Sequence, residues 1–182
     1  LNKNIKFHKI DAFKLDLNFI DQNKFENVII ISGLSNDPMA NLSPSLNYKH
    51  NLYLNSFLLD MISNSKYIKK VIFGSSCSVY GNTNNKILSE KGEIKVEFPY
   101  GITKYLTDCH IELIAKNKRK IKFISLRQGT VSGFSNKMRF DLVINKMVLD
   151  AIFKNKITLF DFKAFRPILD IRDAVSVYAK II

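Results

Sequence analysis

Three residues of this sequence, Ser76, Tyr100 and Lys104, are of types that together can move a proton to or from a hydroxyl group. Tyr100 and Lys104 are four positions apart after Pro99, so on a helix that begins there they lie on the same face. A phenol has a pKa of about 10, and a neighbouring cation favours the phenolate, which accepts protons. A serine hydroxyl can hydrogen-bond the same oxygen. The three residues therefore predict an acid–base site.

The elements that must position these residues can be read from the surrounding sequence. Val71-Ile72-Phe73 predicts a buried strand that opens into the hydroxyl-rich segment 74–81. A helix is expected from Tyr100 to about Asn117. The Tyr-x-x-x-Lys spacing alone is weak evidence, because a chain with seven tyrosines and this much lysine is expected to contain about one such pair by chance. The serine-rich strand end upstream strengthens it.

Strand-like and helix-like segments alternate along the rest of the chain. Further strands are predicted at 5–10, 28–31, 121–126 and 157–159, and further helices at 15–24, 46–65 and 138–153, with Asp173 capping a last helix. This alternation predicts an α/β fold with a doubly wound parallel sheet, whose ligands bind at the carboxyl ends of the strands. Small residues at Ser32 and Gly33, after the 28–31 strand, allow a ligand to approach the backbone.

Composition limits the classes of protein that the chain can represent. At 182 residues it can bury the core of one domain, and no apolar run approaches the roughly 20 residues of a membrane span. No signal-peptide pattern is present at the start. Two cysteines give no disulfide framework, and the three histidines have no metal-ligand spacing. A cytoplasmic protein with no metal site and no membrane partner is expected.

The net charge of +12 leaves two readings of the surface. Most of the cations are lysines spread along the chain, and the one tight cluster, residues 116–122, falls between a predicted helix and a predicted strand. Nucleic-acid-binding surfaces usually interleave cations with aromatic residues and use a recognised fold. A solvated lysine-rich surface is therefore favoured over a nucleic-acid interface.

Two motifs in order, SSCSVYG at 75–81 and PYGITK at 99–104, resemble those of the extended short-chain dehydrogenase/reductase family, the NAD-dependent epimerase/dehydratase group that acts on nucleotide sugars. The resemblance implies a Rossmann-like fold and an NAD or NADP cofactor. It implies that Tyr100 is the catalytic acid/base, that Lys104 biases its pKa and hydrogen-bonds the nicotinamide ribose, and that Ser76 fixes the substrate hydroxyl. A homodimer through helices 46–65 and 100–117 is also expected.

The same resemblance implies two sets of binding residues. The cofactor set is Asp11, Ser32, Gly33, Leu34, Asn51, Ser75, Tyr100 and Lys104. The substrate set is Ser76, Ser78, Thr130, Asn145 and Arg166. Arg166 would grip the diphosphate, and Arg139 and Asn145 lie where the family receives its substrate. Two alternatives remain open: Asn51 as an ordinary polar residue early in a helix, and Arg166 as a surface arginine.

The sequence departs from the family pattern at three places. Thr130 stands where the family has a sugar-contacting asparagine, and Cys77 and Ser78 stand where dehydratases have Asp-Glu. Dehydration is therefore disfavoured, and epimerisation or reduction is preferred. No Gly-x-x-Gly-x-x-Gly turn for the cofactor pyrophosphate is present. We therefore expect one partial nucleotide-binding domain over 1–182, incomplete at both ends, with substrate-binding elements at about 134–172.

The main alternative function is a non-catalytic nucleotide-binding relative, or an inactive truncated form, of the same fold. The presence of Ser76, Tyr100 and Lys104 together argues against it, because a protein without catalysis has no physical reason to keep all three. A basic nucleic-acid-binding module is a third alternative, supported by charge alone.

Overall fold

A computed structural model describes residues 5–35, 37–83, 86–118, 120–159 and 165–182 of the chain. Its main sheet has three parallel strands, β1 (Asn27–Ile30), β2 (Lys70–Ser76) and β3 (Lys122–Gln128), in the order β1-β2-β3. The register pairs Val28 with Val71, and Val71 with Phe123. Two short strands, β4 (Thr130–Ser132) and β5 (Ile168–Asp170), form a second parallel pair.

Helices connect these strands. In chain order they are a 3₁₀ turn (Ala12–Lys14), α1 (Leu17–Gln22), α2 (Asp37–Leu42), α3 (Pro44–Asn47), α4 (Leu54–Ile62), a 3₁₀ turn (Cys77–Tyr80), α5 (Pro99–Asn117), α6 (Val143–Lys154) and α7 (Ile171–Ile181). A π-helical segment, Tyr48–Tyr53, joins α3 to α4 without a break. None of the helices that the structure describes is both long and apolar enough to cross a membrane.

The β2 strand is the centre of the core. Val71, Ile72 and Phe73 are each at most 1% exposed, so both faces of the strand are covered. Leu54, Leu58, Leu59 and Ile62 of α4, with Ile111 and Ile114 of α5, belong to the apolar cluster on the Val71 and Phe73 side. The end of α7 is tied to the start of β2, where the Lys70 Nζ atom donates to the Ile182 carbonyl at 2.8 Å. A continuous apolar run is the pattern that such a doubly covered strand requires.

The sequence predictions are confirmed for the elements around this core and wrong at several positions outside it. The parallel sheet, its three strands and the helix from Pro99 to Asn117 are present. Residues 5–10 and 157–159 are not strands; they are exposed and have no ladder partner among the described residues. Alternation of apolar residues indicates a strand only where a neighbouring strand can accept its hydrogen bonds.

Two helix starts also differ from the prediction. α6 begins at Val143 and not near residue 138, because Leu142 has an extended backbone and the Asn145 side chain binds the Arg139 carbonyl at 3.0 Å. The cap of α7 is Asp170, whose carboxylate accepts from the Arg172 backbone N–H at 2.8 Å. Asp173, the predicted cap, lies in the first turn, where a carboxylate favourably faces the helix dipole.

Candidate active site

Helix α5 carries Tyr100 and Lys104 across the carboxyl end of β2. The Lys104 ammonium donates to the Gly74 carbonyl at 2.7 Å, and it lies 4.6 Å from the centre of the Phe73 ring and 5.7 Å from the centre of the Tyr100 ring. Lys104 is only 5% exposed, whereas Tyr100 is half-buried and therefore reachable from solvent. The predicted pair thus shares one helix face over the strand end.

Burial changes the acid–base behaviour of Lys104. Loss of hydration lowers the pKa of its ammonium from 10.5 to about 8, and the nearby Asp108 carboxylate partly opposes this fall. The Lys104 side chain is therefore a cation at neutral pH that is close to its own titration. Such a cation beside a phenol favours the phenolate form of that phenol.

A pocket of about 160 Å³ opens beside this pair. Six of the predicted site residues line it, namely Ser32, Gly33, Leu34, Ser75, Tyr100 and Lys104. Its wall is completed by Ile31, Ser35, Gly74 and Gln128. The ends of β1, β2 and β3 thus meet the first turns of α5 at one cavity, as expected of the carboxyl edge of a parallel sheet.

Asn51, predicted as a cofactor residue, does not line this pocket but holds one of its walls. Its side chain is fully buried; Oδ1 accepts from the Leu34 backbone N–H at 2.7 Å, and Nδ2 donates to the Leu34 carbonyl at 2.9 Å. Gly33, at φ +134°, fits against the same amide, since a Cβ there would come within 2.2 Å of Asn51 Oδ1. Asn51 therefore shapes the wall that residues 32–35 provide.

Ser76 and Ser78 form a tight turn next to Tyr100. The Ser76 Oγ atom accepts from the Ser78 backbone N–H at 3.1 Å and caps the 3₁₀ turn that follows β2. Gly101 packs directly on this turn, because a Cβ at that position would lie 2.7 Å from the Ser78 carbonyl oxygen. The absence of a side chain at Gly101 thus lets Tyr100 start its helix against the serine-rich end of β2.

The other predicted substrate residues lie on the second strand pair and the segment before α6. Thr130 starts β4, and its backbone N–H donates to the carbonyl of Pro167, the neighbour of the exposed Arg166. Asn145 is buried and bound to the Arg139 carbonyl. Asp11, from the cofactor set, is exposed and caps the first 3₁₀ turn through a 3.1 Å contact with the Phe13 N–H.

Arg139 connects this segment with the pocket. Its guanidinium donates to Ser35 on the pocket wall and to both carboxylate oxygens of Asp141. Hydrogen bonding to Asp141 raises the pKa of Arg139, and the electrostatic interaction with Tyr100 adds to this rise. A second cation therefore acts electrostatically on Tyr100.

Sequence reasoning missed the polar groups that support the site from behind. Asn47 and Asn55 are fully buried on either side of Asn51, and Asp108 is buried one turn after Lys104. Gln128 also lines the pocket without having been assigned a role. The four-residue spacing of 47, 51 and 55, and of 104 and 108, was the available signal. Among the residues that the structure describes, no cluster of His, Cys, Asp or Glu is suited to hold a metal ion.

Fold and site together define a Rossmann-like, doubly wound α/β protein with a Tyr–Lys pair over its central strand. The family model for the NAD dependent epimerase/dehydratase family matches residues 1–182. The chain belongs to this family, whose members include NAD-dependent nucleotide-sugar epimerases.

Among curated proteins the chain is similar to UDP-glucose 4-epimerases. That of Cyamopsis tetragonoloba is 29% identical over 126 residues, which are 68% of this chain and 36% of the relative. That of Mycoplasma genitalium is 35% identical over 79 residues, which are 42% of this chain and 23% of the relative. The chain thus matches about a third or less of the length of these two relatives.

Solved structures share the fold. The UDP-glucuronic acid 4-epimerase of Bacillus cereus, in complex with UDP-glucuronic acid and NAD, superposes with a TM-score of 0.85 at 24% identity, over 99% of this chain and 57% of that one. The UDP-N-acetylglucosamine 4-epimerase of Methanobrevibacter ruminantium M1 gives 0.83 at 22% identity, over 96% and 56%. The chain therefore spans just over half the length of these epimerases.

Proposed function

We propose that the protein is an NAD-dependent epimerase of UDP-sugars, and that this chain forms the nicotinamide and sugar end of its site. The observation that carries the proposal is the placement of Tyr100 and Lys104 at one pocket, with the ammonium held by the Gly74 carbonyl. The curated UDP-glucose 4-epimerases that match the chain support the choice of substrate class. In this proposal 1–182 is part of one domain, with substrate-binding elements at about 134–172.

The residues of the pocket fit part of such a cofactor. Its volume of about 160 Å³ is below the roughly 300–1,000 Å³ of sites that enclose whole drug-sized ligands, so it would take one end of a dinucleotide. Gly33 and Gly74 line it without side chains, Ser32 and Ser75 offer hydroxyls, and the Lys104 ammonium offers a donor to ribose hydroxyls. The pyrophosphate would need a glycine-rich turn, which the 182 residues do not contain.

In the proposed reaction Tyr100 exchanges the proton of the sugar hydroxyl at the carbon that is inverted. A bound NAD, held at the pocket by Ser75 and Lys104, would supply a reversible hydride acceptor for that carbon. Lys104 and Arg139 both act electrostatically on the phenol and favour its ionised form. Ser76, at the turn that contacts the start of α5, would hydrogen-bond the same sugar oxygen.

One feature favours epimerisation over loss of water. The 3₁₀ turn beside Tyr100 carries Cys77 and Ser78, and neither offers a carboxylate to remove a proton from carbon. Arg166 is exposed and precedes Pro167, whose carbonyl accepts from Thr130, and its fork of donors is suited to bind the diphosphate of the substrate in either reaction.

The test is conversion of UDP-galactose to UDP-glucose by the full-length protein with added NAD. Tyr100→Phe removes the proton-exchanging hydroxyl, and we expect turnover to fall by about 10²–10⁴-fold while the affinity for NAD is retained. Tyr105→Phe, on the same helix and outside the pocket lining, is the matched control and should leave turnover unchanged. Wild-type activity in Tyr100→Phe would remove Tyr100 from the reaction. A wild-type protein that binds NAD without converting any UDP-sugar would favour the non-catalytic relative.

A further inference from the structure

A buried carboxylate that has no assigned role lies directly behind the site. Asp108 is 3% exposed and follows Lys104 by one turn of α5. Three side chains of the sheet converge on it. Ser75 on β2 donates to Oδ2 at 3.1 Å, Arg127 on β3 donates from Nε to Oδ2 at 3.0 Å, and the Ser125 hydroxyl on β3 donates to Oδ1. One side chain thus fastens the helix that carries Lys104 to both strands beneath it.

The partners of Asp108 are themselves fixed. Arg127 also donates from Nη1 to the Tyr80 hydroxyl at 3.0 Å and to the Glu90 carbonyl at 3.3 Å, and its guanidinium lies 5.3 Å from the centre of the Tyr80 ring. Ser75 lines the pocket that holds Tyr100 and Lys104. The carboxylate therefore connects the pocket wall with a cation on β3 whose position the Cys77–Tyr80 turn sets.

In the described part of the chain, the ionisable groups linked to Lys104, directly or through Asp108 and Tyr100, lie on four elements. Asp108 and Tyr100 are on its own helix, Arg127 is on β3, Tyr80 is on the turn after β2, and Arg139, paired with Asp141, is in the segment before α6. From α7 the Tyr178 hydroxyl faces Gly74. The lysine of β2, Lys70, is at the opposite end of that strand. Asp108 is the carboxylate whose field acts on the Lys104 ammonium.

We propose that Asp108 is a positioning residue of the site. It holds Ser75 on β2 next to Lys104 on α5, and its negative charge stabilises the buried Lys104 ammonium. The ion pair with Arg127 partly neutralises that negative charge. The structural part of this inference rests on the contacts above. Its consequence for turnover rests on the proposed function, in which a protonated Lys104 assists Tyr100.

Removing Asp108 and removing Arg127, the two partners of this ion pair, should then shift the pKa of Lys104 in opposite directions. Asp108→Asn removes the negative charge that raises the pKa of Lys104 and leaves the Arg127 charge without its carboxylate partner, so the pKa of Lys104 falls further below 10.5. Arg127→Met leaves the Asp108 charge uncompensated, so the pKa of Lys104 rises. A purely structural role predicts loss of stability in both variants and no opposed shift, because both lose the same 3.0 Å contact.

The experiment is an NMR titration of the lysine Nζ and Cε resonances in the isotope-labelled full-length protein without substrate. The Lys104 signal is identified by its absence in Lys104→Arg. We expect the midpoint to fall by about one pH unit in Asp108→Asn, to rise by about half a unit in Arg127→Met, and to lie about half a unit below the wild-type value in the double variant. Ser75→Ala, which removes a hydrogen bond but no charge, should leave the midpoint unchanged.

Shifts of the same sign in the two charge variants, or no shift in either, would overturn the proposal. If Asp108→Asn does not fold, Arg127→Met decides alone, because the proposal requires its midpoint to rise. Turnover measured against pH separates this inference from the proposed function. The alkaline limb of the pH–activity profile should move to lower pH in Asp108→Asn and to higher pH in Arg127→Met. Opposed midpoints in a protein without epimerase activity would uphold the positioning role and refute the proposed function.

Discussion

Asn51 offers a demanding test of how the pocket wall is held, because one fully buried amide makes both hydrogen bonds to the Leu34 backbone. Two of its hydrogen bonds fix the backbone of Leu34, and a third, from Nδ2, goes to the Oδ1 atom of Asn47, which is also fully buried. Asn51→Ala removes all three. The backbone of Leu34 is half-buried, so water can replace some of what it loses, but the Asn47 oxygen has no such access.

The expected loss of stability follows from these contacts. Three hydrogen bonds at about 1 kcal/mol net each, together with about 1 kcal/mol or more for the buried oxygen left unpaired, give a decrease of about 4 kcal/mol in the free energy of unfolding. The loosened residues 32–35 should also weaken NAD binding by about tenfold, which corresponds to about 1.4 kcal/mol. Both effects have the same cause and should appear together.

Urea unfolding of the full-length protein measures the first effect, with an unchanged m-value as the sign that the unfolded state is comparable. Asn64→Ala is the matched control, since its side chain also makes hydrogen bonds, to the Asp60 carbonyl and to Lys118, but at an exposed position. That control should change stability by less than about 0.5 kcal/mol. A decrease of under about 1 kcal/mol in Asn51→Ala would show that the amide does not hold the pocket wall.

Two further predictions concern the surface. Arg166→Ala should weaken UDP binding by roughly 10–100-fold in a calorimetric titration, because the charged donors of Arg166 would contact the diphosphate. The free energy of unfolding should change by less than about 0.5 kcal/mol, since Arg166 is exposed. An unchanged affinity for UDP would make it an ordinary surface arginine. Leu113→Glu should dissociate the expected homodimer in sedimentation velocity, because Leu113 is an apolar side chain on α5 that is 60% exposed. Leu42→Glu is the control and should not dissociate it, since Leu42 is 88% exposed but lies on α2. Equal behaviour of the two variants would argue against a dimer through α5.

The parts of the fold that could be predicted are those in which local pattern and burial agree. The apolar run at 71–73 could only be a strand covered on both faces, and it is. The helix that begins at Pro99 follows from the proline at its first position and from its periodic apolar residues, and with it comes the shared face of Tyr100 and Lys104. These features need no knowledge of the rest of the chain.

The parts that could not be predicted depend on contacts between distant segments. Asp108 is an unremarkable helix residue in the sequence, and its role emerges only when β2 and β3 are known to lie side by side beneath α5. Residues 157–159 have strand-like composition, but the strand that pairs with β4 is β5. Asn51 stood out in the sequence only by its place in the family pattern, and its contact with the Leu34 backbone depends on the turn after β1.

The π-helical segment Tyr48–Tyr53 sets the rotation of α4 relative to α3 about their common helix axis. Asn51, within the segment, holds the pocket wall and is bonded to Asn47 just before it, whereas Leu54 and Leu58, after it, face the core. A π turn accommodates one residue more than an α turn, so deleting a single residue here would rotate one half against the other by about 100°. Either the asparagine side chains at 47 and 51 or the leucine side chains at 54 and 58 would then turn away from their present partners. The helix can therefore accept changes of side chain in this segment more readily than a change of length.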